Sequence, residues 1–281
     1  MSVDHERSRL AFERLNRQLT RLARKTAPES VHKFRTYGRR VEALLDELVA
    51  EPNRNDRKLV KLLGRLRKKA GRVRDLDVQI AALRNLKIPS EPARKTQLLQ
   101  TLAEERILRE QKLAKAFDAG TIDELQKRIK RSARHAHLSN DSDPLGLAKR
   151  QLAQLGRERG PLTEKLLHQY RIVGKRARYL AELAGKDQEA ARLVQQLKRM
   201  QDVLGDWHDW LKLSQRAEGL FGSVQDSPLV AALHNVTGAK FRQAINVLTE
   251  TRGALAEKTP VTTLRKASAR PSSHEADEAV A

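Results

Sequence analysis

The chain has 281 residues, enough for one large or two ordinary domains with a sizeable core, and no cysteine, which excludes disulfides, thiolate metal sites and a cysteine nucleophile. Its 56 Lys and Arg against 35 Asp and Glu leave a formal charge of +21, which repels itself in the compact state and is relieved by a bound polyanion. The amino terminus, MSVDHERSRLAFERL, is too densely charged for a secretory signal, and nowhere do the roughly 18 apolar residues of a spanning helix run together, so a cytoplasmic protein is expected.

Helical period predicts helices over about 4–25, 29–49, 55–86, 91–118, 121–137, 144–158, 162–184, 188–217 and 228–256, with nothing that reads as a strand. Turn formers punctuate them, among them Pro28, Pro52-Asn53, Pro89, Pro92, Pro144 and Pro161. The polar run at 139–144 divides a first half of about 4–138 from a second of about 144–257, within one helical domain that reaches residue 258. Residues 259–281 are small and polar without apolar period, and read as a disordered tail.

The second predicted helix, ESVHKFRTYGRRVEALLDEL from Glu29, reads as a copy of the seventh, EKLLHQYRIVGKRARYLAEL from Glu164. His32, Arg35, Arg39 and Arg40 recur as His168, Arg171, Lys175 and Arg176, each pair 136 residues apart. An advance of about 100° per residue sets Phe34, Tyr37, Val41, Leu44, Leu45 and Leu48 opposite His32, as the buried stripe. Tyr170, Val173, Ala177, Leu180 and Ala184 face inward in the second copy, while His168, Arg171, Lys175 and Arg178 share the other side. Both rows are expected on a wet face. Each of these helices also holds a glycine, Gly38 and Gly174, at a cost of about 1 kcal/mol relative to alanine, which points to a close helix approach or a ligand backbone nearby.

The third predicted helix aligns Lys61, Arg65, Lys68 and Arg72 in one row, away from its leucines. Its counterpart in the second half reads Gln195, Arg199, Asp202 and Asp206, so the basic surface is stronger on the first half. Gly71 and Asp75 recur as Gly205 and Asp209, each pair 134 residues apart, which makes the duplication a multi-helix unit. Arg74, Asp75 and Asp77 read as pairing and capping groups between helices, Trp207 and Trp210 as core or bundle-edge residues, and His135 and His137 as a solvated helix end.

No Walker loop, G-x-S-x-G element or H-E-x-x-H helix occurs, and Asp75 and Asp77 lack the further ligands of a two-metal site. A binding protein is expected, not an enzyme, with no metal or cofactor implied. Cation rows suit a flexible phosphate chain: residues four apart on a helix lie about 6 Å from one another, arginine forks grip phosphate oxygens in two places and lysines act as point charges. Aromatic residues are 4% of the chain and fall mostly on predicted core faces, poor equipment for stacking single-stranded bases. A nucleic-acid binder, RNA-associated or nucleoid-associated, stays open as the alternative because net charge does not separate polyanions. A scaffold that docks an acidic protein or a granule surface is a third reading.

The paired His-x-x-Arg helices, each followed by a helix carrying GRVRDLD or LGDWHD, resemble the conserved-histidine α-helical domain, or CHAD, family over about residues 4–257. The resemblance implies an all-α fold of two four-helix bundles related by a pseudo-twofold axis, with basic faces lining a shared central surface or pore. It also implies binding of inorganic polyphosphate, with some relatives at polyphosphate granules. The resemblance marks His32, Arg35, Arg39, Arg40, His168, Arg171, Lys175 and Arg176, and the helix rows add Lys61, Arg65, Lys68, Arg72, Arg178 and Arg199 as candidate polyphosphate-binding residues. The two histidines are expected to donate hydrogen bonds to phosphate oxygens, with binding that strengthens as pH falls through about 6.5.

Overall fold

The structure, a computed structural model, describes residues 3–88, 91–135, 142–156 and 160–256. Every regular element among them is a helix: α1 (His5–Arg24), α2 (Pro28–Glu47), α3 (Arg54–Asn85), α4 (Pro92–Ala114), α5 (Ala119–His135), α6 (Pro144–Gly156), α7 (Glu164–Ala181), α8 (Gln188–Phe221) and α9 (Pro228–Ala256). The all-α expectation holds, and the helix boundaries agree with the sequence pattern to within a few residues. The predicted tail, residues 139–141 and His137 lie outside the described residues.

Local chemistry sets the helix starts. The Asp4, Thr163 and Asp187 side chains accept from the backbone N–H of Arg7, Leu166 and Ala190, and Asn53 and Asp56 cap one another reciprocally at the start of α3. Pro28 and Pro92 stand in the first turn of α2 and α4, where a missing N–H leaves no bond unmade. Ser132 binds α5 to this start, accepting from Asn55 Nδ2 at 2.8 Å and donating to Asp56.

The two halves repeat one plan with one break. In the second half α9 runs unbroken along α8: Leu229, Val230 and Leu233 enter a small core near its start, and Ala244, Val247 and Leu248 enter the main core farther on. In the first half two helices share this work: α4 places Leu98 and Leu102 in the small core and Leu113, near its end, in the main one, which Leu125 and Ile129 of α5 then fill. Both bundles therefore have four helical positions, with the fourth split between α4 and α5.

A continuous main core runs through both halves, so the halves form one body. They meet where α2 packs on α7 and α3 on α8. Reciprocal ion pairs close the α2–α7 contact: Arg40 Nε lies 2.7 Å from Glu182, and Arg176 Nε lies 2.8 Å from Glu47, with Arg176 Nη2 3.7 Å from Asp46. Arg40 and Arg176 are repeat counterparts, as are Asp46 and Glu182, so the clasp obeys the pseudo-twofold. The chain start joins in, Asp4 N donating to Leu183 O at 3.0 Å and Arg7 Nη1 to Glu182 O at 2.9 Å.

Candidate functional site

The packing of α2 on α7 brings the two histidine rows to one seam, and the expectation of a wet face is corrected there. The helix rotations are right, since Phe34, Val41, Leu44, Leu45, Tyr170, Ala177 and Leu180 are buried opposite the rows. The side turned away from each half's own core, however, faces the other half. His32 and His168 stay exposed, while Arg35, Arg39, Arg171, Lys175 and Arg178 are half-buried, the Arg35 side chain only 13% exposed. Amphipathic period separates a core side from a second side, but two basic sides can partly cover one another.

Four cations are crowded in this seam. Burial and the fields of Arg171, Arg39 and Arg35 lower the Lys175 ammonium to about 7. Burial lowers Arg39 and Arg171 as well, and each of these two arginines stands in the field of a neighbouring cation, Arg35 for Arg39 and Arg39 for Arg171. Arg171 Nε is buried and has no hydrogen-bond partner among the described residues, an unmade bond that is costly for a charged donor. His32 is lowered by partial burial and then by Arg74, Arg35, Arg39 and Arg178; His168 by partial burial and then by Arg171, Lys212 and Lys175. Cations disfavour further protonation of an imidazole, so both rings are mostly neutral near pH 7 without a ligand.

The long helices α3 and α8 supply the seam's flank. Arg35 Nη1 donates to Gly71 O at 3.0 Å and lies 3.3 Å from Asp75 Oδ1, so the guanidinium rests on the α3 backbone. Asp209 of α8 sits in the fields of Arg171 and Lys175, and burial, with Asp75 adding repulsion, lifts its carboxyl to about 6. His208 packs its ring 5.5 Å from that of His168 and is lowered to about 3 by burial and then by Arg171, which keeps it neutral. A pocket of about 220 Å³ opens beside these groups, lined by Arg72, Asp75, His208, Asp209, Lys212 and Arg216 among others. Sequence reasoning gave His208 and Lys212 no role. The repeat held the signal, because His208 is the counterpart of Arg74, 134 residues on, and Arg74 borders His32.

Other marked cations lie elsewhere. Arg40 and Arg176 are held in the inter-half clasp, and Arg178 lies 3.5 Å from Glu182 with its guanidinium over the Tyr179 ring. Arg199 pairs with Glu250 of α9 at 3.0 Å, and Lys240 of α9 pairs with Asp206 at 2.8 Å, so α9 neutralises part of the α8 row. Lys61, Arg65 and Lys68 are exposed along α3, and Arg72 at the end of their row reaches the pocket. Of the two helix glycines, Gly174 marks a close approach: a Cβ there would come 2.4 Å from Met200 Cε, and its carbonyl accepts from Gln201 Nε2 at 2.7 Å. Gly38 has ordinary room, with Arg67 Cδ at 3.9 Å. Asp77 pairs with Arg106 at 2.6 Å and Trp207 is buried, while His135 is exposed at the end of α5, as expected of them. No group of three or more His, Cys, Asp or Glu is placed to hold a metal ion among the described residues, and no helix among them is long and apolar enough to cross a membrane.

The chain is similar in fold to two solved structures. One is the crystal structure of the CHAD domain from the plant Ricinus communis, with TM-score 0.63, 19% identity and 88% of each chain covered. The other is PptA from Streptomyces chartreusis, with TM-score 0.59, 14% identity, and 92% of this chain and 100% of that one covered. No curated protein matches the sequence. The CHAD domain profile matches residues 7–218, from α1 through nearly all of α8, about three quarters of the sequence, and by that match the chain belongs to the CHAD family.

Proposed function

We propose that this protein binds inorganic polyphosphate along the seam between its halves, as a binding module rather than an enzyme. The observation that carries the reading is the crowding of Arg35, Arg39, Arg171 and Lys175, contributed equally by two repeat helices, half-buried and held against one another. Such crowding raises the free energy of the empty protein and is offset when a polyanion threads among the cations. Residues one helical turn apart lie about 6 Å from one another, a spacing that a condensed phosphate chain meets with every second or third unit. Membership of the CHAD family, which is associated with polyphosphate, supports the ligand.

The make-up of the seam favours phosphate chains over single-stranded nucleic acid. Its ring groups are His32, His168, His208 and Tyr179, of which Tyr179 is buried against Arg39, and the tryptophans turn elsewhere: Trp207 is buried and Trp210 packs on the small core. Bases would find no aromatic platform to stack on. The exposed Lys61, Arg65 and Lys68 extend the positive potential along α3 and would draw a chain toward the seam. A module of this kind would locate at polyphosphate granules in the cytoplasm.

The test is competition at physiological salt between long-chain polyphosphate and duplex DNA, at equal phosphate concentration, for the full-length protein. Polyphosphate that displaces most of the DNA at equal phosphate supports the reading. Equal competition would return the seam to a generic polyanion surface, and a protein captured from cells by acidic partners after polyphosphatase treatment would favour the scaffold reading.

A further inference from the structure

Two carboxylates stand among the seam's cations, and polyanion binding by itself gives them no task. Asp75 and Asp209 are repeat counterparts, and each faces the arginine three residues after the histidine of its own half. Asp75 Oδ1 lies 3.3 Å from Arg35 Nη1, and Asp209 lies in the field of Arg171. The two carboxylates are also near enough to repel one another across the junction of α3 and α8. A site selected only for its positive charge would have no reason to repeat an acid at the same place in each half.

A carboxylate offers a guanidinium the same kind of acceptor oxygens that a phosphate does. We propose that Asp75 and Asp209 are built-in competitors of phosphate, which neutralise Arg35 and Arg171 in the empty seam and make it select condensed phosphate chains over orthophosphate and pyrophosphate. The inference rests on the polyphosphate reading and deepens it. A short phosphate that reaches one arginine exchanges one anion for another and then suffers repulsion from the carboxylate beside it. A long chain meets the same fixed repulsion once, and adds contacts with Arg39, Lys175, His32 and His168. The penalty is constant while the gain grows with length, so the carboxylates act as a threshold on chain length. Burial that lifts Asp209 to about 6 makes its charge the easier one to discharge by proton uptake when a chain arrives.

The experiment is calorimetric titration of the full-length wild type, the Asp75→Asn variant and the Asp75→Asn/Asp209→Asn variant with pyrophosphate, tripolyphosphate and long-chain polyphosphate at one pH and salt. Asparagine keeps the shape and removes the charge. The expected result is a similar gain of about tenfold in affinity for all three ligands, which brings the two short phosphates into the range where they bind while the long chain is bound already in the wild type, so that the threshold moves to shorter chains. Asp75 is 55% exposed, so the single variant carries the test by itself where circular dichroism shows the double variant unfolded. A wild type that binds long chains tightly, with folded Asn variants whose short-phosphate affinity is unchanged or lower, would make the carboxylates structural partners of the arginines and overturn the inference while leaving the polyphosphate reading intact. A wild type that binds no long chain would remove that reading and the inference with it.

Discussion

Two basic surfaces of this molecule, the seam between α2 and α7 and the outer row on α3, have similar residues and opposite circumstances. Lys61, Arg65 and Lys68 stand exposed along α3. Arg35, Arg39, Arg171 and Lys175 are crowded and half-buried, and Lys175 is pushed down to about 7. An exposed cation is already well solvated and gains little from an anion, whereas a partly dehydrated one gains much. Equal charge thus does not mean equal function, and the two surfaces should respond differently to every perturbation.

Removing seam cations has the largest expected effect. Arg171→Ala should weaken long-chain polyphosphate binding by about tenfold or more, as loss of a charged hydrogen-bonding group does, while Lys61→Ala/Arg65→Ala/Lys68→Ala should weaken it by roughly threefold or less and mainly flatten its salt dependence. Titrations at two salt concentrations separate these effects.

Proton linkage sharpens the comparison next. A bound polyanion raises the pKa of every group facing the seam that titrates near neutrality: Lys175 from about 7, Asp209 from about 6, and His32 and His168 from below 6.5. The fixed charges around them are Arg35 and Arg39 on α2, Arg74 and Asp75 on α3, Arg171 and Arg178 on α7 and Lys212 on α8. The complex holds more protons than the free protein between pH 6 and pH 8, so affinity should rise as pH falls, by about tenfold across that window. Equal affinity at both ends would mean that the half-buried groups make no contact with the ligand.

Smaller effects concern stability. Arg40→Ala with Arg176→Ala removes the inter-half clasp and should lower Tm by about 2–4 °C while leaving polyphosphate affinity within about twofold, because these arginines are already paired. Lys175→Met should do the reverse, raising Tm while lowering affinity. The Lys175 ammonium is depressed in the folded state, so below about pH 7 the fold carries the full cost of charging it, and that cost fades as pH rises toward the ordinary lysine value. The gain in Tm should therefore be larger at pH 6 than at pH 9, by differential scanning fluorimetry.

Most of the fold was legible in the sequence because helix signals are local. Apolar period, caps such as Asn53 and Asp187, and prolines at 28 and 92 mark elements without reference to the rest of the chain. The duplication then paired α2 with α7 and α3 with α8. What stayed hidden were relations between elements. The period on α2 showed that Arg39 turns away from Phe34 but not that α7 lies there, so a seam was read as a wet face. Arg40 and Arg176 matched the family pattern by position, yet their carboxylate partners are supplied by the opposite half. Arg199 looked free until α9 brought Glu250 to it. The split of the fourth bundle position into α4 and α5 was visible in the predicted break near residue 118, but its equivalence to the single α9 was not.

On the proposed reading the seam, and not total charge, binds polyphosphate. The most direct measurement is calorimetric titration of long-chain polyphosphate at physiological salt into the wild type, Arg35→Ala/Arg39→Ala/Arg171→Ala/Lys175→Ala, and a Lys61→Ala/Arg65→Ala/Lys68→Ala/Arg72→Ala variant of the same net charge, each checked for folding by circular dichroism. The wild type should bind tightly, the seam variant should lose about a hundredfold or more in affinity, and the outer-row variant about tenfold or less. Equal losses in the two folded variants would contradict that reading and make the ligand a reader of net charge alone.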